Sequence, residues 1–267
     1  MMKKITLCAD DYGQHQSISD AIIALLEKNR LSATSCMTSS PRFAMDAERL
    51  QPFIRRADIG LHFNLTEGSS LSGQLAFLPL SRLILKACAY LLKPSAIEAE
   101  LHAQLDAFEA SMGKLPDFVD GHQHIHQLPG IRDALFRVYE KRLRKTNSYL
   151  RCLYHPASHV NSFKGRVIQL LGARAFKKRV VKENIPHNSS FSGIYPFSKS
   201  KHYARIFPHF LAEVKDGGMI MCHPGLSSHD PSDALLKSRY QEFLYLNSDD
   251  FLRDCFRAGV SLQRLSK

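Results

Sequence analysis

Four short apolar runs, each ending in a carboxylate or an imidazole, constrain the fold of this chain more than any other feature. Ile5–Ala9 leads into Asp10-Asp11-Tyr12-Gly13, and Ile59–Leu61 into His62-Phe63-Asn64. Leu115–Val119 leads into Asp120-Gly-His122-Gln-His124-Ile-His126, and Gly218–Cys222 into His223-Pro-Gly225. Runs of this length bounded by turn formers read as buried strands. Amphipathic segments between them are predicted as helices: one from Ser17, with Ser17 as its cap, others at 46 to 56, 97 to 112, about 131 to 145 and 200 to 215, and a last one capped by Ser248. Ala33–Met37, Tyr149–Leu153 and Val260–Leu265 are further strand candidates, and Asn188–Gly193 is predicted as a loop. Strands alternating with helices, with no linker or break in composition, argue for a single α/β domain over 1-267 with a mostly parallel sheet.

In a parallel α/β barrel the strand ends share one rim, where active sites of that architecture are built. Residues two apart on an extended chain share a face, so a persisting strand would project Asp120, His122, His124 and His126 to one side. Taken alone, that heptapeptide also fits a solvated loop. Four polar strand ends on one rim favour a metal site, because neutral imidazole is a common ligand that a carboxylate can join or orient. Asp10 and Asp11 would face opposite ways on a regular strand, and a turn at Gly13 lets both lean inward. No H-E-x-x-H helix or Cys-rich spacing is present, so the pattern is neither a zincin nor a zinc finger. One carboxylate and two imidazoles leave coordination positions open for water and substrate. No G-x-S-x-G elbow or phosphate-binding glycine loop occurs.

The formal net charge of +11 admits phosphates, anionic glycans, nucleic acid or an acidic lipid surface as partners. Nucleic acid is the less expected of these, since the cations are spread over several helices without a recognisable binding motif. A metal-dependent phosphoester hydrolase is the rival enzyme reading. The six cysteines are widely spaced and mostly lie in apolar runs, which favours a reducing cytosol, and Met1–Ile5 reaches Asp10 too soon for a signal peptide. Residues 75 to 94 are the most apolar stretch and read either as a core helix or as an apolar lid over the site. The basic amphipathic segment at 163 to 182 reads as a solvated face or as a surface for an anionic membrane, which would put a cytoplasmic protein at the inner face of that membrane.

Cys8-Ala-Asp-Asp-Tyr-Gly13, Gly60-Leu-His-Phe-Asn-Leu-Thr66, Asp120-Gly-His-Gln-His-Ile-His126 and Met221-Cys-His-Pro-Gly225 occur in this order across nearly the whole chain. Together they resemble the successive motifs of the YdjC-like (ChbG/HpnK) carbohydrate deacetylases. Leu31-Ser-Ala-Thr-Ser-Cys-Met37 and Phe118-Val-Asp-Gly-His-Gln-His124 are most similar to the hopanoid-biosynthesis-associated branch. The resemblance implies a divergent (β/α) TIM-like barrel, a divalent metal such as magnesium or zinc, and hydrolysis of the N-acetyl group of an amino sugar with release of acetate. It puts the metal on Asp11, His62 and His122, a general base at Asp10 and a general acid at His223. Arg151 would orient Asp10 or bind substrate, and Asp120, His124 and His126 would lie behind the ligands or in the substrate cleft. The substrate expected is an N-acetylglucosaminyl glycolipid of the hopanoid type or a chitooligosaccharide. A homodimer is compatible with the sequence.

Overall fold

The computed structural model describes residues 2–154, 172–228 and 233–266. Among the described residues eight strands form one sheet: β1 (Lys3–Tyr12), β2 (Ala33–Cys36), β3 (Asp58–Phe63), β4 (Phe118–Gly121), β5 (Tyr149–Leu150), β6 (Phe191–Ser192), β7 (Gly218–Cys222) and β8 (Val260–Leu262). Their order is β5-β4-β3-β2-β1-β7-β6, with β8 set against the first residues of β1, and every strand pairing is parallel. A parallel sheet is covered on both faces, which is why its strands are continuous apolar runs instead of alternating ones; β1 is buried from Ile5 through Tyr12. The sheet curls into a half-barrel surrounded by helices, and an isolated bridge between Leu150 and His187 lies beside β5.

Helix α1 (Gln16–Glu27) buries Ile18, Ala21, Ile22, Leu25 and Leu26, the expected stripe. Its cap position is His15, however, and Ser17 sits inside the first turn, because the turn after Asp11 lets the carbonyl of His15 accept the amide of Ser19 at 3.1 Å. Residues 46 to 56 do not form one α-helix. The short α2 (Phe43–Asp46) passes into 3-10 turns over Ala47–Phe53, where Pro52 can donate no backbone hydrogen bond. Helix α3 (Leu80–Cys88) is a surface element: only Leu83 and Ala87 are buried, while Leu85 is 70% exposed. It is followed by α4 (Pro94–Met112), which ends on left-handed Gly113, and by α5 (Ile131–Val138), which continues as a π turn over Tyr139–Leu143. Of the predicted basic segment, 163 to 171 lie outside the described residues; α6 (Arg174–Lys182) buries Phe176 and Val180.

Two elements are absent from the sequence reading. Strand β6 falls in the expected loop and is only two residues long. After α7 (Tyr203–Glu213), the helix α8 (Leu236–Leu246) lacks a strong apolar stripe, because Arg239 and Glu242 occupy buried positions on it. The last helix, α9 (Asp249–Arg257), has Ser248 at its cap position, but that hydroxyl donates to the Tyr245 carbonyl at 2.7 Å instead of serving a helix amide. No helix among the described residues is long and apolar enough to cross a membrane.

Candidate metal centre and active site

The C-terminal ends of β1, β3, β4 and β7 meet at one cavity of about 370 Å³. Parallel register does much of the placing. Ala9 pairs with Cys222, so Asp10 and His223 follow side by side, and His62 lies directly across from Asp120. Asp10 and Asp11 reach the same site because the β1–β2 register slips between Ala9 and Tyr12 and Asp11 itself has φ 71. Left-handed backbone at a non-glycine residue costs roughly 1–3 kcal/mol and persists only where its surroundings hold it. Gly13, at φ 85, completes the turn but does not by itself bring the carboxylates together.

The strand geometry does not persist beyond Gly121, so the four polar groups of 120 to 126 do not share a face. His122–Gln127 coils into tight turns with Gln123 at φ 52 and His124 at φ 64. His122 and His124 line the cavity, whereas His126 lies behind it, fully buried and edge-on to Phe176. Gly121 is required for this coil, since a Cβ there would stand 2.8 Å from the His126 amide nitrogen.

Asp11 Oδ1 is the hub of the centre, 3.3 Å from His62 Nε2 and 3.0 Å from His122 Nδ1. The other nitrogen of His62 donates to Asp120 Oδ1 at 2.6 Å, and Asp120 Oδ2 lies 2.7 Å from Arg151 Nη2. Arg151 also grips Asp10 with both terminal nitrogens, at 2.7 and 2.6 Å, and its guanidinium lies 5.9 Å from the ring centroids of Phe118 and of Phe191. It is fully buried and does not line the cavity, and its ion pairs are with Asp10 and Asp120. His126 Nε2 contacts the Arg151 carbonyl at 3.1 Å and so helps hold the chain beneath the site. His223 Nε2 stands 3.9 Å from Asp10 Oδ2.

The charges follow from these contacts. Burial alone would raise the Asp10 carboxyl, but the Arg151 guanidinium more than reverses this and holds it well below the usual carboxylate range. Burial is likewise overcome at Asp11, by Arg239 first and then by hydrogen bonds from His122 and His62. His62, which burial would lower, is lifted to about 10 by Asp120 and Asp11, so a metal entering here must displace a proton. His126 is pushed down to about 4 by burial and stays neutral.

Asp11, His62 and His122 could hold a metal ion, and so by spacing could Asp10, His62 and Asp120. The first set fits better. Asp10 and Asp120 are both committed to the Arg151 cation, whereas Asp11 turns Oδ1 toward two imidazoles and gives only Oδ2 to Arg239, at 2.8 Å. The set offers a buried carboxylate oxygen and two ring nitrogens, with His62 oriented from behind by Asp120, an arrangement suited to a divalent transition metal.

Sequence reading missed Arg239 and Glu242 on α8. Arg239 joins Asp11 to Asp233, with Nε 2.9 Å from Asp233 Oδ2. Glu242 accepts the His223 amide at 2.6 Å and the Tyr195 hydroxyl at 2.6 Å, and burial pushes its carboxyl up to about 7. Their one available signal was the i, i+3 spacing of two charged residues that share a helix face. The cavity walls beyond the polar floor are apolar, with Leu80, Ile84, Leu128, Phe197, Met221 and Leu235.

A carbohydrate deacetylase of Danio rerio is 30% identical over 149 residues, 51% of this chain and 46% of that protein. A chitooligosaccharide deacetylase of Yersinia pestis (strain Pestoides F) is 30% identical over 136 residues, 49% of this chain and 53% of that protein. The chain thus spans about half the length of the curated relatives it matches. The fold is shared with a solved protein of Enterococcus faecalis V583 provisionally described as a cellobiose-phosphate cleavage protein, at TM-score 0.74 and 17% identity over 99% of this chain and 98% of that one. A peptidoglycan N-acetylglucosamine deacetylase shares it more distantly, at TM-score 0.55 and 10% identity over 98% and 86% of the two chains. The family model described as YdjC-like protein matches residues 4–257, and the chain therefore belongs to the YdjC-like family.

Proposed function

We propose that this chain is a metal-dependent hydrolase that removes the N-acetyl group from an amino sugar. The observation that carries the reading is the meeting of Asp11, His62 and His122 around one carboxylate oxygen, with Asp10 and His223 beside them in the same cavity. The deacetylase relatives support the reaction class. A bound divalent metal, magnesium or zinc, supplies polarisation of the acetyl carbonyl and acidifies water. Asp10, held ionised by Arg151, accepts the proton of the attacking water by virtue of its position, since its basicity is low. His223 delivers a proton to the amide nitrogen, without which the amine is a poor leaving group. Acetate and a free amino sugar result.

The finer reading is a substrate with an apolar portion, an N-acetylglucosaminyl lipid of the hopanoid type, in preference to a soluble chitooligosaccharide. Leu80 and Ile84 of α3 face the cavity while Leu85 stays exposed, which supports an apolar lid at 75 to 94. Between Glu67 and Glu98 the chain carries Arg82, Lys86 and Lys93 and no acid, which supports peripheral contact with an anionic membrane. The test is acetate release from N-acetylglucosamine oligomers and N-acetylglucosaminyl lipids, with and without chelator, alongside elemental analysis of Asp11→Ala, His62→Ala and His122→Ala. Chelator-sensitive release and loss of metal in each variant are expected. Full metal occupancy in His122→Ala would refute the ligand set, and a kcat/KM for the soluble oligomer at or above that for the lipid would refute the lipid preference.

A further inference from the structure

Each of the two histidines of the centre has Asp11 on one ring nitrogen and a second carboxylate near the other, through opposite nitrogens. His62 turns Nε2 to Asp11 and Nδ1 to the Asp120 carboxylate. His122 turns Nδ1 to Asp11, and its Nε2 lies 3.0 Å from Glu67 Oε1, within ion-pair distance but not aligned as a hydrogen bond. Asp120 is buried at a strand end, whereas the Glu67 side chain is 44% exposed at the edge of the cavity, on the loop that follows β3.

That loop is built to present the carboxylate. Asn64, fully buried, accepts the amides of Thr66 and Glu67 at 2.9 and 3.1 Å, and its Nδ2 donates to the Glu67 carbonyl at 2.6 Å and to Ser39 Oγ at 2.9 Å. An asparagine turn of this kind fixes the backbone two and three residues on. The second oxygen of Glu67 accepts from Gln14 Nε2, and Gln14 Oε1 lies 3.1 Å from Arg239 Nη2, the nitrogen that also donates to Asp11. Asp11, His122, Glu67, Gln14 and Arg239 thus close a ring of side chains around the centre.

We propose that Glu67 is a positioning residue for His122, its charge beside Nε2 holding the ring so that Nδ1 is left for a metal. The inference rests on the metal centre proposed above. A carboxylate on the far nitrogen of a ligand histidine raises its basicity and fixes its aim, and losing such a partner costs about 10–100-fold in metal affinity.

Titration of the full chain with Co²⁺, followed by visible absorption, tests this in the parent, Glu67→Gln, Glu67→Ala and His122→Ala. Both Glu67 variants are expected to bind about 10–100-fold more weakly while keeping the parent's band position and intensity at saturation, and His122→Ala to lose binding. Parent-like affinity in both Glu67 variants would overturn the proposal. So would a changed band at saturation, since Glu67 would then be a ligand itself. Absence of Co²⁺ binding by the parent, or tight binding by His122→Ala, would overturn the centre and the proposal with it, and neither result depends on the Glu67 variants.

Discussion

Asp10 illustrates how a single side chain's neighbours set its role. Both of its oxygens are held by Arg151 and its carboxyl is kept far below the ordinary range, so it is charged at any working pH. Asp10→Asn keeps the shape and removes the proton acceptor proposed above. The expected outcome is retained metal with turnover lowered by about 10²–10⁴, and near-parental turnover would remove Asp10 from the chemistry. Glu242 presents the opposite case. Burial raises its carboxyl to about 7 from an ordinary value near 4.5. Between those two pH values the unfolded chain has released the proton while the folded chain still holds it, so this group's contribution to folding stability falls as pH rises through this window and levels off above about 7. Each tenfold difference in proton affinity between the two states is worth about 1.4 kcal/mol, so the loss approaches roughly 3 kcal/mol. Glu242→Gln should remove this part of the fall and leave the part that the raised His62 contributes above its ordinary value, so urea unfolding at pH 5 and pH 8 should show a smaller fall in the variant than in the parent; an equal fall in both would mean that Glu242 is ionised in the fold at both values.

Among the elements, α8 does most that the sequence concealed. Its inner face carries Arg239 into the site, where one guanidinium neutralises Asp11 and Asp233 at once. Removing a buried cation leaves its partners buried and unpaired, at a cost of about 3–5 kcal/mol. Arg239→Met should therefore destabilise the protein by that amount in chemical denaturation, with Arg239→Lys falling between parent and Met. A loss below about 1 kcal/mol would show that water reaches these carboxylates. Strands β1, β3, β4 and β7 were legible because a parallel sheet buried on both faces demands continuous apolar runs, and such runs survive in the sequence as text. Helix α8 was not, because two of the positions that an apolar stripe would fill are charged and are stabilised by partners far away in the chain.

For the whole molecule the excess of 36 lysines and arginines over 25 acids is the feature that acts at long range. The membrane reading predicts that liposomes containing anionic lipid retain the protein at low salt and release it as salt shortens the screening length, to about 8 Å at physiological ionic strength. Failure of anionic liposomes to retain it at low salt would end that reading. The sequence by itself determined the α/β class, the parallel sheet and the identity of the polar groups at its strand ends, because burial and strand period are local demands that each segment meets alone. Only the tertiary structure decided which of those groups meet. The left-handed turn at Asp11 sends two neighbouring carboxylates to one site, and the coil after Gly121 separates His122 from His126. Arg151, Arg239 and Glu67 are placed against partners 141, 228 and 55 residues away. Such choices rest on which charge can be neutralised once water is excluded, and that energy exists only between segments that the fold has already brought together.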